Sequence, residues 1–367
     1  EIDEMVELVR AEDEPDKMVR TDKYRLVTRD QESLHEVDKW SVFFIAPPAF
    51  FEIVETGASV PFTELASQRR GVTTGAVDFF FRKMTDVDDL GIEEYVSPVA
   101  KATGQMDRVL FSDEDAEEWG IVDVEELAAE ALDTDRRFGE GDEDRFKRWL
   151  PDHDHGKLLE YVEWGEEQEE HTGRTCQNRD IWFVLEDLEE KYQTKILIPR
   201  FTWNVFRVSW NEADAIANDQ FYNVTPDSDV DEKTLAAVLN TRLVWMFYEL
   251  FGRTEGGEGM NRTEIKGYEI DDLPIPNLRA MSDEDKARIK QAFDDLLDRE
   301  RELGYEVAPD EIEQELDELD EAVLEAIGLG DHVQEIKDAV SALLEMRQRA
   351  GGINTEVLVE RGNDDEH

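Results

Sequence analysis

A chain with 92 Asp and Glu against 40 Lys and Arg, a net charge of −52 over 367 residues, folds only where its own repulsion is offset. The 40% of hydrophobic residues are spread along the sequence, enough for sizeable cores, so this is not an acidic disordered tail. The acid runs through predicted loops, helices and both ends, and the cations are 26 Arg and only 14 Lys. That pattern resembles a protein from an extreme halophile. In molar salt the screening length falls to about 3 Å, which cancels most surface repulsion. A sequence pI near 4.3 ordinarily argues against nucleic acid as a partner, and the charge is read here as an adaptation to solvent first. No apolar run approaches the roughly 18 residues that span a bilayer, and Glu1 to Arg10 lack a basic-then-apolar leader. The single cysteine, Cys176, excludes an intramolecular disulfide and fits a reducing cytoplasm. The length suggests two or three domains.

Residues 1–39 read as a strand pair, Met5–Arg10 and Tyr24–Thr28, around an acidic loop with Pro15. Two strands alone are marginal, so the pair is expected to be the end of a truncated domain or a linker hairpin, and the chain a piece of something longer. Trp40 to Val54 is an apolar segment interrupted by Pro47 and Pro48, and it opens a domain over 40–276. Pro61 to Phe81 fits short strands around turn-forming Gly71 and Gly75. Strand-like runs follow at Ile181–Leu185 and Lys195–Ile198, and Thr234–Leu250 is an amphipathic helix. Residues 277–350 form a helical region. Ser282 caps its first helix, with Ile289, Phe293, Leu296 and Leu297 on one face. Ile312, Leu316, Leu319, Val323, Leu324 and Ile327 mark a second stripe, and Val333, Ile336, Val340, Leu343 and Leu344 a third. Residues 351–367 read as a flexible tail. The fold class is α+β, a β-rich domain with helical insertions followed by a small helical bundle.

Catalytic signatures are missing. Gly256-Gly257-Glu258-Gly259 lacks the lysine and preceding strand of a phosphate loop. Cys176 has no evident histidine partner, and His153 and His155 lack a third metal ligand. Ala46-Pro47-Pro48-Ala49 lacks the amide or acid, and the stacking aromatic, of an amino-methyltransferase motif. What stands out is basic: Arg69-Arg70, then Arg145-Phe146-Lys147-Arg148-Trp149, then a series from Arg174 to Lys266. Over 174–266 the balance is 11 basic to 16 acidic, against 8 to 24 over 101–172 and 8 to 22 over 281–349. Such a local deficit of acid suits a phosphate-facing surface, or arginines paired with acids on a solvated face.

The order of several landmarks adds to this. Trp40 and Ala46-Pro47-Pro48 precede Arg70-Gly71-Val72-Thr73-Thr74-Gly75-Ala76-Val77-Asp78-Phe79-Phe80 and Tyr95-Val96-Ser97-Pro98. Tyr161-Val162-Glu163-Trp164-Gly165, Arg179-Asp180-Ile181-Trp182-Phe183 and Lys195-Ile196-Leu197-Ile198-Pro199-Arg200 follow. Asn240-Thr241, Gly252-Arg253-Thr254-Glu255-Gly256-Gly257 and Leu273-Pro274-Ile275-Pro276 close the series. The succession resembles the C-terminal target-recognition region of adenine-N6 DNA methyltransferases of restriction-modification systems, over most of residues 40–327. The family often has Asn two places after the Thr-Gly pair, where Val77 stands here.

The resemblance implies a parent enzyme that uses S-adenosylmethionine and flips an adenine from duplex DNA, its catalytic motifs absent from this chain. No cofactor is expected within it. The chain would recognise and clamp double-stranded DNA beside the missing catalytic domain or another restriction-modification subunit. The residues implied for DNA contact are Arg69, Arg70, Thr73, Thr74, Gly75, Arg179, Arg200, Arg253, Gly256 and Gly257. Asn240 either pairs with a base edge or caps or braces its helix. Two other readings are a stand-alone specificity subunit and an acidic protein-interaction scaffold.

Overall fold

The computed structural model describes residues 6–7, 9–10, 18–20, 25–28, 41–101, 107–255, 262–304 and 307–350. Helices and mixed sheets alternate along it, an α+β fold. The chain forms two compact units that interleave in sequence. The first takes Glu1–Leu65, Ala237–Ala292 and Leu316–His367, and the second Ala66–Ala236 and Phe293–Glu315. Each draws on both the 40–276 and the 277–350 segments.

The first unit is largely helical. Helices Ser41–Ile45 and Pro48–Glu55 divide at Pro47-Pro48, because a proline within a helix removes a donor but is tolerated at its first position. Phe50 of the second packs edge-on against Phe247, ring centroids 5.7 Å apart. The expected helix Thr234–Leu250 is two helices, Glu232–Leu239 and Arg242–Phe251. Thr241 caps the latter by accepting from the Val244 N–H at 3.4 Å. The Asp320 carboxylate fixes the break by accepting from the Arg242 N–H at 2.8 Å and from its guanidinium at 2.6 Å. Asp317 adds a second acceptor to Arg242 at 2.8 Å and holds Lys337 at 3.0 Å, which ties in helices Glu313–Ala326 and Val333–Ala350. Burial pushes the Asp320 carboxyl up to about 6, against the opposing pull of Arg242. In this unit the helical stripes are buried at Leu316, Leu319, Val323, Leu324, Ile336, Val340 and Leu343. Gly328, at φ +78°, follows the end of helix Glu313–Ala326.

The N-terminal strand pair is shifted from expectation. Met18–Arg20 pairs with Arg25–Val27, whereas Val6, Glu7, Val9 and Arg10 are helical. The loop between the observed strands is far shorter than the one expected, so its closure costs less entropy. The 351–367 segment lies outside the described residues.

The second unit holds a five-stranded sheet in the order Ala66–Arg70, Phe221–Pro226, Ile196–Pro199, Ser209–Asn211, Leu110–Phe111. Its pairings are antiparallel except the last. A second sheet orders Ile216–Ala217, Val96–Ala100, Trp119–Val122 and Phe81–Lys83. Beside it lies an aromatic core, in which Phe79 stacks on Tyr161 at 4.8 Å and meets Trp182 at 4.5 Å. Ile181–Leu185, expected as a strand, is instead a fully buried turn closed by Val184 N–H to Ile181 C=O at 3.1 Å. A short apolar run signals burial without specifying backbone shape. The outer amides of strand Leu110–Phe111 meet a buried carboxylate, with Glu300 accepting from Val109 and Leu110 at 3.0 and 2.7 Å.

Replacing Asp320 with alanine leaves a buried guanidinium and an amide without their acceptor, so chemical denaturation is expected to show a loss of about 3–5 kcal/mol. Replacing the more exposed Asp317 is expected to cost about 1 kcal/mol or less under the same salt.

Candidate nucleic-acid interface

The site is built at one end of the five-stranded sheet. Strand Ala66–Arg70 lies antiparallel to Phe221–Pro226, with Arg70 opposite Tyr222 and Arg69 opposite Asn223. Leaving the strand, Gly71 donates to Phe221 C=O at 2.8 Å and Val72 to Ala217 C=O at 2.9 Å. A Cβ on Gly71 would stand 2.0 Å from the Asn218 carbonyl oxygen, so only glycine allows this approach. Asn218 organises the facing turn by accepting from the Gln220 N–H at 3.1 Å through its side chain and from Phe221 N–H at 3.1 Å through its carbonyl. Arg70 closes over the turn, with Nε on the Asp219 carbonyl at 3.2 Å and Nη2 on its carboxylate at 2.7 Å. Arg69 is exposed and, by strand alternation, faces the other side.

The Thr73-Thr74-Gly75 segment is fastened from behind. Arg179 Nη2 donates to Thr73 C=O at 3.3 Å, and the Cys176 thiol to Thr74 C=O at 3.6 Å. Gly75 adopts φ +80°, and a Cβ there would meet Thr175 Cβ at 2.5 Å. Arg179 also donates to Trp182 C=O at 3.3 Å and lies over the Phe80 ring at 5.4 Å. Burial lowers its pKa, partly countered by the Cys176 thiol. Arg179 is therefore a brace for the loop. Thr73 and Gly75 are exposed, whereas Thr74 is buried.

The electrostatics of this region differ from the rest of the unit. Most of its cations bridge a carboxylate, as Arg136, Arg145, Lys147, Lys157, Lys191 and Arg301 do. Among the described residues, no carboxylate oxygen lies within 4 Å of the cationic nitrogens of Arg69, Arg82, Lys83, Lys101, Arg174 or Arg179. Arg137 and Arg148 share that property but lie elsewhere, Arg137 in the connection between helices Glu125–Leu132 and Asp142–Trp149 and Arg148 on the second of them. Of the first six, Lys83 and Lys101 share the Trp119 ring, Arg179 lies behind the Thr73-Thr74-Gly75 segment, and Arg69 is on strand Ala66–Arg70. Arg174 adjoins Thr175 behind Gly75, and the Lys101 carbonyl accepts from the Asn218 side chain. Lys101 sits 3.2 Å from the Trp119 ring centroid and Lys83 5.6 Å from it. Arg82 lies over Trp164 at 4.6 Å and donates to the Tyr161 hydroxyl at 2.8 Å. Burial lowers the Lys101 pKa, with Lys83 adding to the effect, while Asp78 and Glu118 oppose it from longer range. Aromatic faces here hold cations that acids hold elsewhere, which leaves the ions able to receive an external anion.

Arg82, Lys83 and Lys101 were not singled out from sequence, although the run Phe79-Phe80-Phe81-Arg82-Lys83 is the signal for two of them. Arg200 lies in the second unit at the same sheet end, its N–H on Gln220 C=O at 2.8 Å and its guanidinium over Phe201 at 4.7 Å. The remaining sequence candidates belong to the first unit. Asn240 is 3% exposed at the helix break. Arg253 is exposed, held by Glu269 at 2.8 Å and by the Tyr268 hydroxyl. Gly256 and Gly257 lie outside the described residues.

Ala46-Pro47-Pro48-Ala49 is a junction between two helices, and Ala46 is wholly buried with only a methyl to offer.

The architecture is that of a mixed α+β domain with cations gathered at one end of its five-stranded sheet. Residues 37–308 match the family model of the type II methyltransferase M.Eco57I C-terminal domain, and the chain belongs to that family. In structure it is similar to the type IIG restriction endonuclease BpuSI, with a TM-score of 0.53 and 16% identity over 82% of this chain and 32% of that one. It spans about a third of that protein's length, and the likeness is one of fold. No curated protein matches it in sequence. No described helix is long and apolar enough to cross a membrane.

Because its Cβ would strike backbone, Gly71→Ala is expected to destabilise by about 1–3 kcal/mol, measured by denaturation, and to shift the amide resonances of residues 217–221. Gly156→Ala, in open space at the start of a helix, is expected to be neutral or stabilising by up to about 1 kcal/mol.

Proposed function

We propose that this chain is the DNA-recognition and clamping part of a site-specific adenine-N6 DNA methyltransferase of a restriction-modification system. Catalysis and S-adenosylmethionine binding are assigned to another part of the parent enzyme. The reading is supported by membership of a methyltransferase C-terminal family and by Arg69, Arg82, Lys83, Lys101 and Arg174, which among the described residues stand clear of carboxylates in a chain of net charge −52. Guanidinium and ammonium groups held on aromatic faces suit phosphate contact, and the close-packed Gly71 and Gly75 turns set the loop for approach to a groove.

The acid outside this region is read as an adaptation to high salt. Binding that depends on counterion release weakens steeply as salt rises. Recognition in such a solvent must draw on base contacts and shape, with the local cations setting register.

Duplex binding is expected to persist in molar KCl. Arg69→Glu and Arg174→Glu are each expected to weaken it about tenfold or more, while Lys286→Glu, on the helix Asp283–Leu303, leaves it within about twofold. Fluorescence anisotropy with a labelled duplex measures this, and equal losses at all three positions sink the assignment. A methylation assay on this chain with S-adenosylmethionine and duplex DNA is expected to show no turnover.

A further inference from the structure

Arg70 differs from the other cations at the sheet end, and the difference lies in which edge of its guanidinium is engaged. Nε and Nη2 form the lateral edge, and both are taken by Asp219, at 3.2 Å through the carbonyl and 2.7 Å through the carboxylate. The terminal edge, with one N–H of Nη1 and the second of Nη2, has no hydrogen bond to any described residue. The side chain is nevertheless 46% exposed, and that of Asp219 36%. The platform beneath it is stiff. Asp219 sits in the turn closed by the Asn218 side chain and carbonyl, and Gly71 packs against that turn at a distance no other residue allows. The result is a planar two-donor fork, fixed in orientation and presented to solvent.

Resting on the DNA-recognition reading above, we infer that Arg70, oriented by Asp219, is a base-reading residue that recognises guanine in the major groove. The terminal N–H pair matches the spacing of guanine O6 and N7, the acceptor pair that a guanidinium reads bidentately. A phosphate would accept the same fork. Yet a carboxylate 2.7 Å from Nη2 lowers the local positive potential and repels an anion, whereas the neutral guanine edge tolerates it. The other Asp219 oxygen, Oδ1, has no hydrogen bond to a described residue. It is an acceptor suited to an exocyclic amino group of cytosine or adenine beside that guanine. Arg69, on the opposite face of the strand and without such an anchor, is assigned to phosphate.

Selection of this chain on a pool of random duplexes, followed by affinity measurements on the selected site, tests the inference. One G·C pair in that site, changed to A·T, is expected to lower wild-type affinity about tenfold or more. In Arg70→Ala that ratio is expected to collapse to about 1, and in Asp219→Asn to fall several-fold, while Arg69→Ala weakens both duplexes alike and keeps the ratio. Because each ratio is taken within one variant, a partly unfolded preparation does not alter it. If wild-type protein binds no duplex or shows no preference, the DNA-recognition reading fails and this inference with it. If wild-type protein is selective and Arg70→Ala weakens all duplexes equally at every position, Arg70 is a phosphate contact and only this inference is overturned.

Discussion

Forty cations share a molecule with 92 acids, and where each cation goes decides the structure. Buried carboxylates are the strictest case. Asp320 must be met by Arg242 and a backbone amide, Glu300 by the amides of Val109 and Leu110, and Glu249 by Arg347 and Thr263. Burial drives all three carboxyls toward protonation, and the donors around them oppose that shift. These contacts join segments far apart in sequence, and so they hold together units that the chain enters more than once. Arg108 bridging Asp115 repeats the same logic in the interior, and Arg242 bridging Asp317 extends it toward the surface.

The fold was legible where it follows from local periodicity. The three apolar stripes of residues 281–349 give three helices, Ser282 accepts from the Asp285 amide as an N-cap should, and Lys195–Ile198 overlaps the strand Ile196–Pro199. It was illegible where a distant side chain decides. The break at Asn240-Thr241 is written partly in residue 320, nearly 80 positions away. Ile181–Leu185 carries the composition of a strand, but its backbone is turned by neighbours such as Glu143, which accepts from the Trp182 N–H at 3.4 Å. The interleaving of the two units leaves no local mark at all, because segment boundaries in composition follow exposure rather than partnership.

The candidate site divides in the same way. Arg69-Arg70, the glycines and Arg179 were visible as residue types in order, and the structure ties Thr73 to Arg179 and Thr74 to Cys176 by hydrogen bonds while Arg70 is held by Asp219. Their division of labour was not visible. Nothing in the sequence shows that Arg179 has its donors on Thr73 and Trp182 carbonyls while Arg70 keeps one edge toward solvent. Lys101 is the plainest omission. It lies at the border of the most acidic segment, and only the fold carries it to Trp119 and Asn218.

Net charge and local charge therefore answer different questions. At a screening length of about 3 Å, a surface carboxylate 10 Å away contributes almost nothing to the potential at a cation, whereas one in contact still neutralises it. A strongly acidic chain in concentrated salt is not repelled by a polyanion as its formal charge suggests. Under those conditions it is the immediate neighbours of each cation that count: Trp119, Trp164, Phe80 and Phe81 for Lys101, Arg82 and Arg179, and the Asp219 carboxylate for Arg70. The same screening removes most of the counterion-release gain on which sequence-independent DNA binding depends. On the reading proposed above, a recognition module in concentrated salt would be left with oriented, short-range donors as its main source of affinity. A guanidinium held by its lateral edge, with its terminal edge exposed, is a device of that kind, because its geometry survives salt that screens its charge.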